Sequence, residues 1–176
     1  MTEPPQAWAH RTGKVSLQPL RPADWSPEAL AARAQIAEAF YRFGMGHDEH
    51  RADVAASCFT EDVVYEVALG SAEPITSWHG RGEVEKGLSA VAGELPGQRR
   101  HLVSNIVVEE LDLVAGTANA LAYGQVSVAA DGLFLGASVI YTARARREPD
   151  GCWRFDYFFI GMDHFTGTRP DLETKP

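Results

Sequence analysis

The chain of 176 residues lacks most of the features that announce a function outright. It has only two cysteines, Cys58 and Cys152, at no metal or redox spacing. Cys58 lies in an apolar helical stretch and Cys152 starts a strand, so both read as buried thiols rather than a disulfide, which fits a reducing interior. No apolar run approaches the roughly 20 residues that a membrane span needs. Residues 1–6 do not carry the basic and apolar regions of a secretory leader. Basic charge is scarce: 16 Lys and Arg stand against 24 Asp and Glu, a formal net charge of −8, and no basic stripe gathers them. Nucleic acid and anionic membrane surfaces are therefore set aside as partners, and a cytoplasmic location is expected. There is no glycine-rich phosphate loop, no nucleophile elbow and no Cys–His arrangement, which argues against nucleotide cofactors and covalent hydrolysis. No cofactor and no metal is expected.

What is present is enough apolar material for one core: 45% of residues are hydrophobic. Residues 1–25 read as an extended arm, with Trp8 and Trp25 packing onto the body or onto a neighbouring subunit. Ser26 and Pro27 form a helix start, a favoured cap followed by proline in the first turn. Leu30, Ala34, Ala37, Tyr41 and Gly44 recur at helical spacing, and Gly44 and Gly46 read as the helix end. A short second helix carries Ala52, Ala55, Ala56 and Phe59 on one face. A strand follows over 63–69, then a loop from 70 that includes Trp78 and His79. A third helix presents Val84, Leu88 and Val91. Four strands end the domain, at about 101–110, 117–128, 134–146 and 152–161, with turn chemistry at Asp131-Gly132 and Pro149-Asp150-Gly151. The last strand alternates Trp153, Phe155, Tyr157 and Phe159 against Arg154, Asp156, Phe158 and Ile160, so it reads as central and covered on both sides. The domain spans 26–166 and residues 167–176 form a polar tail. Helices gathered against an antiparallel or mixed sheet predict an α+β fold, a cone whose concave face the first helices cover. Such a cone is a natural pocket.

The strand from Gln98 to Glu110 carries the chemistry. By alternation His101, Val103, Asn105 and Val107 share one face, with Leu102, Ser104, Ile106 and Val108 on the other. A strand built only for packing would carry Val or Ile at 101 and 105. His47, Asp48 and His50 hint at a metal, but the histidines flank a helix break and no third ligand cluster joins them.

Several stretches resemble a known family. Phe43 and Asp48, the run from Ala55 to Val64, the stretch from Arg100 to Asn105 and the stretch from Asp150 to Phe155 resemble, in order and separation, the SnoaL-like group of the nuclear transport factor 2-like superfamily. The resemblance covers roughly residues 28–166. It implies a cystatin-like α+β cone. In the scytalone dehydratase and hexachlorocyclohexane dehydrochlorinase branch it also implies an Asp–His dyad, which falls on Asp48 and His101. The sequence departs from both enzymes around the dyad. The second pocket histidine of the dehydratase has no counterpart in 117–128, the tyrosine before its Asp is His47 here, and the lysine of the dehydrochlorinase falls where Tyr41, Arg42 and Phe43 stand. The stretch from His101 to Asn105 equally resembles the β subunit of ring-hydroxylating dioxygenases, a chiefly structural partner.

The expected function is therefore a cofactor-independent lyase, isomerase or cyclase acting on a small, largely apolar, oxygenated molecule, with a ligand-binding or structural subunit as the alternative. His101 would act as general base and acid, oriented by Asp48. Tyr41, Phe43, His47, Tyr65, Trp78, Asn105, Tyr123 and Tyr157 are the expected substrate contacts. A homo-oligomer, dimer or trimer, is the expected assembly.

Overall fold

The computed structural model describes Trp8 and residues 17–70, 73–94 and 97–165, the side chains of 93–94 and 164–165 excepted. Most of the arm over 1–25 and the tail over 167–176 lie outside the described residues, as do the side chains of His164 and Phe165. The elements run α1 (Pro27–Asp48), α2 (Ala52–Ala56), β1 (Phe59–Leu69), β2 (Pro74–His79), α3 (Arg81–Glu94), β3 (Gln98–Asp112), β4 (Thr117–Ala129), β5 (Leu133–Arg147) and β6 (Trp153–Phe165). The strands form one sheet in the order β2-β1-β6-β5-β4-β3. The β1–β6 pair is parallel; the others are antiparallel. The α+β cone is the architecture found. No described helix is long and apolar enough to cross a membrane.

The Ser26 hydroxyl accepts the Ala29 N–H at 3.2 Å and opens α1. The buried stripe of that helix is Ala29, Ala32, Ile36, Ala39, Phe40 and Phe43. It is rotated one residue from the expected stripe, and Leu30 and Tyr41 are exposed. The large side chains decide this. Phe40 packs against Phe155, Phe158 and Tyr141 at ring-centroid distances of 4.7–6.2 Å, burial that alanines at 34 and 37 could not match. The helix also runs through Gly44 and Gly46 instead of ending there.

Three further readings of the strands are corrected. The stretch read as a loop contains β2, a short edge strand whose alternating burial places Trp78 inward. In β6 the pairing register slips between Phe155 and Tyr157. A bulge there makes Phe155 and Phe158 share the concave core, while Phe159 joins Trp8, Ala68 and Leu121 on the outer face. In β3 the register slips between Ser104 and Val107, two residues opposing Ala122 alone, and Asn105 takes φ +52°. That bulge reverses the alternation: Ile106 and Val108 face the core, and Asn105 does not. Trp8 is buried on the outer sheet face, its Nε1–H donating to Asp163 Oδ1 at 2.7 Å. Cys58 is buried, its thiol pushed up to about 11 by burial, whereas Cys152 is exposed, contrary to expectation.

Candidate active site

The end of α1 lies directly on β3 and α2 because two glycines remove the side chains between them. A Cβ at Gly44 would stand 3.0 Å from the His101 Cβ, and one at Gly46 would stand 2.6 Å from the Ala55 nitrogen. This close approach brings Asp48 against the start of β3. Asp48 Oδ2 accepts the His101 backbone N–H at 2.7 Å, and Oδ1 lies 2.5 Å from His101 Nδ1. The Asp48 carbonyl accepts Gln98 Nε2–H at 2.9 Å.

Asp48 is 5% exposed. Burial alone would push its carboxyl up, but the hydrogen bonds and charge of His101 outweigh burial and hold it below the usual carboxylate range. At neutral pH it is therefore an anion that only accepts. In the neutral imidazole the proton is then on Nδ1, and Nε2 keeps its lone pair. With Nδ1 tied to Asp48, Nε2 is the nitrogen left for the cavity that His101 lines, whose volume is about 280 Å³. This size lies at the small end for ligand pockets.

The cavity is mostly apolar. Tyr65 and Trp78 stack at 5.1 Å and form one wall. Trp78 lies flat on α3, where a Cβ at Gly87 would meet its ring at 2.3 Å. Phe43, Val139, Tyr141 and Ile160 line the concave side. Burial raises the Tyr65 and Tyr141 phenols, so both stay neutral hydrogen-bonding groups. Ile75, exposed on β2, marks where the cavity meets the surface.

His47 also lines the cavity, its ring 4.8 Å from that of His101. Burial, then the charge of His101, pulls it down to about 4, against a smaller opposing effect of Asp48. It is neutral at physiological pH. Its Nδ1 is buried without a hydrogen-bond partner. An orphan N–H is the rarer and costlier state, so Nδ1 carries the lone pair and Nε2 the proton. Among the described residues, His47, Asp48 and His101 also offer atoms within 4.8 Å of one another, a set that could hold a metal ion. Such an ion would compete with the His101 Nδ1–H for Asp48 Oδ1.

The sequence matches the SnoaL-like domain over residues 28–158. The chain belongs to the SnoaL-like family. Its solved structural neighbours include a hexachlorocyclohexane dehydrochlorinase from Novosphingobium barchaimii, 22% identical, covering 79% of this chain and 91% of the other with a TM-score of 0.65. A candidate scytalone dehydratase from Novosphingobium aromaticivorans is 18% identical over 81% and 91%, with a TM-score of 0.66. The β subunit of a candidate aromatic-ring-hydroxylating dioxygenase from the same organism is 19% identical over 78% and 92%, with a TM-score of 0.67. Likenesses at this identity show the fold, which a protein from Nostoc punctiforme shares as a cystatin-like fold, 20% identical over 74% of this chain and 90% of the other with a TM-score of 0.64. A comparison with curated protein sequences finds no match.

In this SnoaL-like protein the expected contacts divide by face. Phe43, His47, Tyr65 and Trp78 meet at the cavity with His101. Tyr41 is exposed on α1. Asn105 and Tyr123 line a separate groove on the outer sheet face. Tyr157 is on that face too, its hydroxyl donating to Glu66 Oε2 at 2.7 Å. For Asn105 and Tyr157 the bulges in β3 and β6 are the reason. Two titratable lining residues went unforeseen. Tyr141 sits in a strand that reads as plain core. Arg99 is the other, 6% exposed in the cavity wall. Its signal was its two-residue spacing from His101, which puts both on one face.

Proposed function

We propose that the protein is a cofactor-independent acid/base enzyme, a lyase, isomerase or cyclase working on a small, largely apolar, oxygenated molecule. The observation that carries this reading is the 2.5 Å contact between Asp48 Oδ1 and His101 Nδ1, at an apolar cavity that His101 lines. In this mechanism His101 Nε2 removes a proton from carbon next to a carbonyl. The imidazolium is stabilised by the Asp48 carboxylate and returns the proton, either to a leaving hydroxyl, which departs as water, or to another carbon. His47 donates a hydrogen bond from neutral Nε2–H to the substrate oxygen, and stays uncharged across the working pH range. A base so positioned contributes on the order of 10²–10⁴-fold. The likeness to a dehydrochlorinase and a candidate dehydratase supports the eliminating form of this chemistry.

A structural subunit is the second reading. It is favoured by exposed Leu102, Tyr123, Leu133 and Leu135 on the outer face of β3–β5 and by the likeness to a dioxygenase β subunit. Proton exchange separates the two. In D₂O, the enzyme should speed deuterium uptake next to the carbonyl of cyclic ketones such as tetralone, followed by NMR. The exchange should vanish in His101→Ala and fall in Asp48→Asn. Exchange at the buffer rate across cyclic ketones of this size, or exchange indifferent to His101, would favour the subunit reading.

A further inference from the structure

Proton transfer at His101 makes no use of one charged side chain at the cavity. Arg99 precedes His101 by two residues in β3 and shares its face, so the two stand roughly 6.6 Å apart along the strand. Its guanidinium runs inward over β5, where the position of a Cβ on Gly136 lies 3.5 Å from Arg99 Nη1. Arginine is rarely buried as deeply as this; its Nε and Nη2 are fully buried, which leaves Nη1 to meet a carboxylate in the cavity.

The charges at the site point the same way. Asp48 is an anion, but it does not line the cavity and both its oxygens face N–H groups of His101. His47 is neutral. Arg99, which does line the cavity, is the cation there. Burial works against its charge and the nearby Asp48 supports it. A ligand entering among Tyr65, Trp78, Val139 and Ile160 therefore meets an apolar sleeve with one positive end.

We propose that the cavity selects a small amphiphilic organic anion, its carboxylate held by Arg99 and its apolar body lying along the aromatic wall. This deepens the acid/base reading, since Arg99 would anchor the molecule while His101 addresses a carbon close to the anchored end. Arg99 is thus a specificity-determining residue of the site.

Binding tests this without turnover. Isothermal titration at low salt compares benzoate, cinnamate and 2-naphthoate with their neutral amides. At least one acid should bind at millimolar concentration or better, its amide at least tenfold more weakly. Arg99→Met keeps the stem and removes the charge. It should lower acid affinity at least tenfold and leave the amide unchanged, with a melting curve to verify folding. Arg99→Lys should keep part of the preference. Amides that bind as well as acids, no binding by any acid, or a preference surviving in Arg99→Met would each overturn the proposal. If Arg99→Met does not fold, the acid–amide comparison on the wild type decides. His101→Ala should retain acid binding, so failure of the proton-transfer reading and failure of the anion site are seen separately.

Discussion

Replacing Asp48 by Asn changes one atom's chemistry and almost no volume, yet it should switch the tautomer of His101. The carboxylate accepts from both the backbone N–H and the ring Nδ1 of His101, at 2.7 and 2.5 Å. An amide keeps one acceptor. Its oxygen can serve the backbone N–H, and its NH₂ then faces Nδ1. Nδ1 must accept, the imidazole proton moves to Nε2, and the cavity loses its base. Both hydrogen bonds survive in neutral form. Each gives up about 1–2 kcal/mol of charge assistance, while the variant no longer has to desolvate a buried anion. The net change in stability should stay within about 2 kcal/mol, a shift of only a few degrees in a chain this long. Activity should fall on the order of 10²–10⁴-fold. The assay needs no substrate. In ¹⁵N-labelled protein, two-bond ring correlations report which nitrogen of His101 carries hydrogen. Wild type should show Nδ1–H and the Asn variant Nε2–H. An Nε2–H tautomer in wild type, or the same tautomer in both, would refute the argument.

Other outcomes rest on the same geometry. His47 is held neutral down to about 4 against an ordinary 6.5. The unfolded chain therefore binds its proton first, and stability should drop by about 3 kcal/mol as pH falls from 6.5 to 4; urea melts of wild type and His47→Gln should show this acid limb flattened in the variant. Gly46→Ala would put a Cβ 2.6 Å from backbone, so despite a gain in helix propensity it should cost about 1–3 kcal/mol. Gly82→Ala, with nothing within 4 Å, should stabilise by up to about 1 kcal/mol, both glycine variants being read in urea melts. Asn105 sits at φ +52°; Asn105→Gly should be close to neutral, Asn105→Val should cost about 1–2 kcal/mol, and neither should weaken cavity binding measured by titration.

Much of the fold was legible because the strands from β3 onward carry period-two patterns and firm turn chemistry. His101 was legible for the same reason, since no bulge precedes it in β3. Asn105 was misplaced because one residue in a left-handed conformation resets the alternation, and nothing in Ser104-Asn105-Ile106 marks that bulge against an ordinary polar step. In β6 an ordinary extra residue, Asp156, slips the register without a left-handed turn, and it likewise returned Phe158 to the concave side and sent Tyr157 outward. Gly44 and Gly46 read as a helix end because glycine usually weakens helices. Their role is close approach, a property of what lies across from them, on β3 and α2. β2 escaped notice because it is short and begins with proline, as edge strands do. Arg99 drew no reading of its own, although its spacing puts it on the face of His101. Only the curl of the sheet, which folds the start of β3 over β5, buries it.

The contact between α1 and β3 also bears on how the molecule avoids its own copies. β3 is the last strand of the sheet, so among the described residues one row of its backbone groups has no neighbouring strand. Asp48 takes the His101 N–H from that row, and Arg33 Nη1 donates to the Val108 carbonyl at 2.7 Å. Both guards come from one helix, and they stand on either side of the bulge at Asn105. A strand from another chain that sought to extend the sheet here would find charged side chains already occupying its hydrogen-bonding positions. Asp48 is thus a stopper against edge-to-edge aggregation, a duty that it keeps whether or not the cavity does any chemistry.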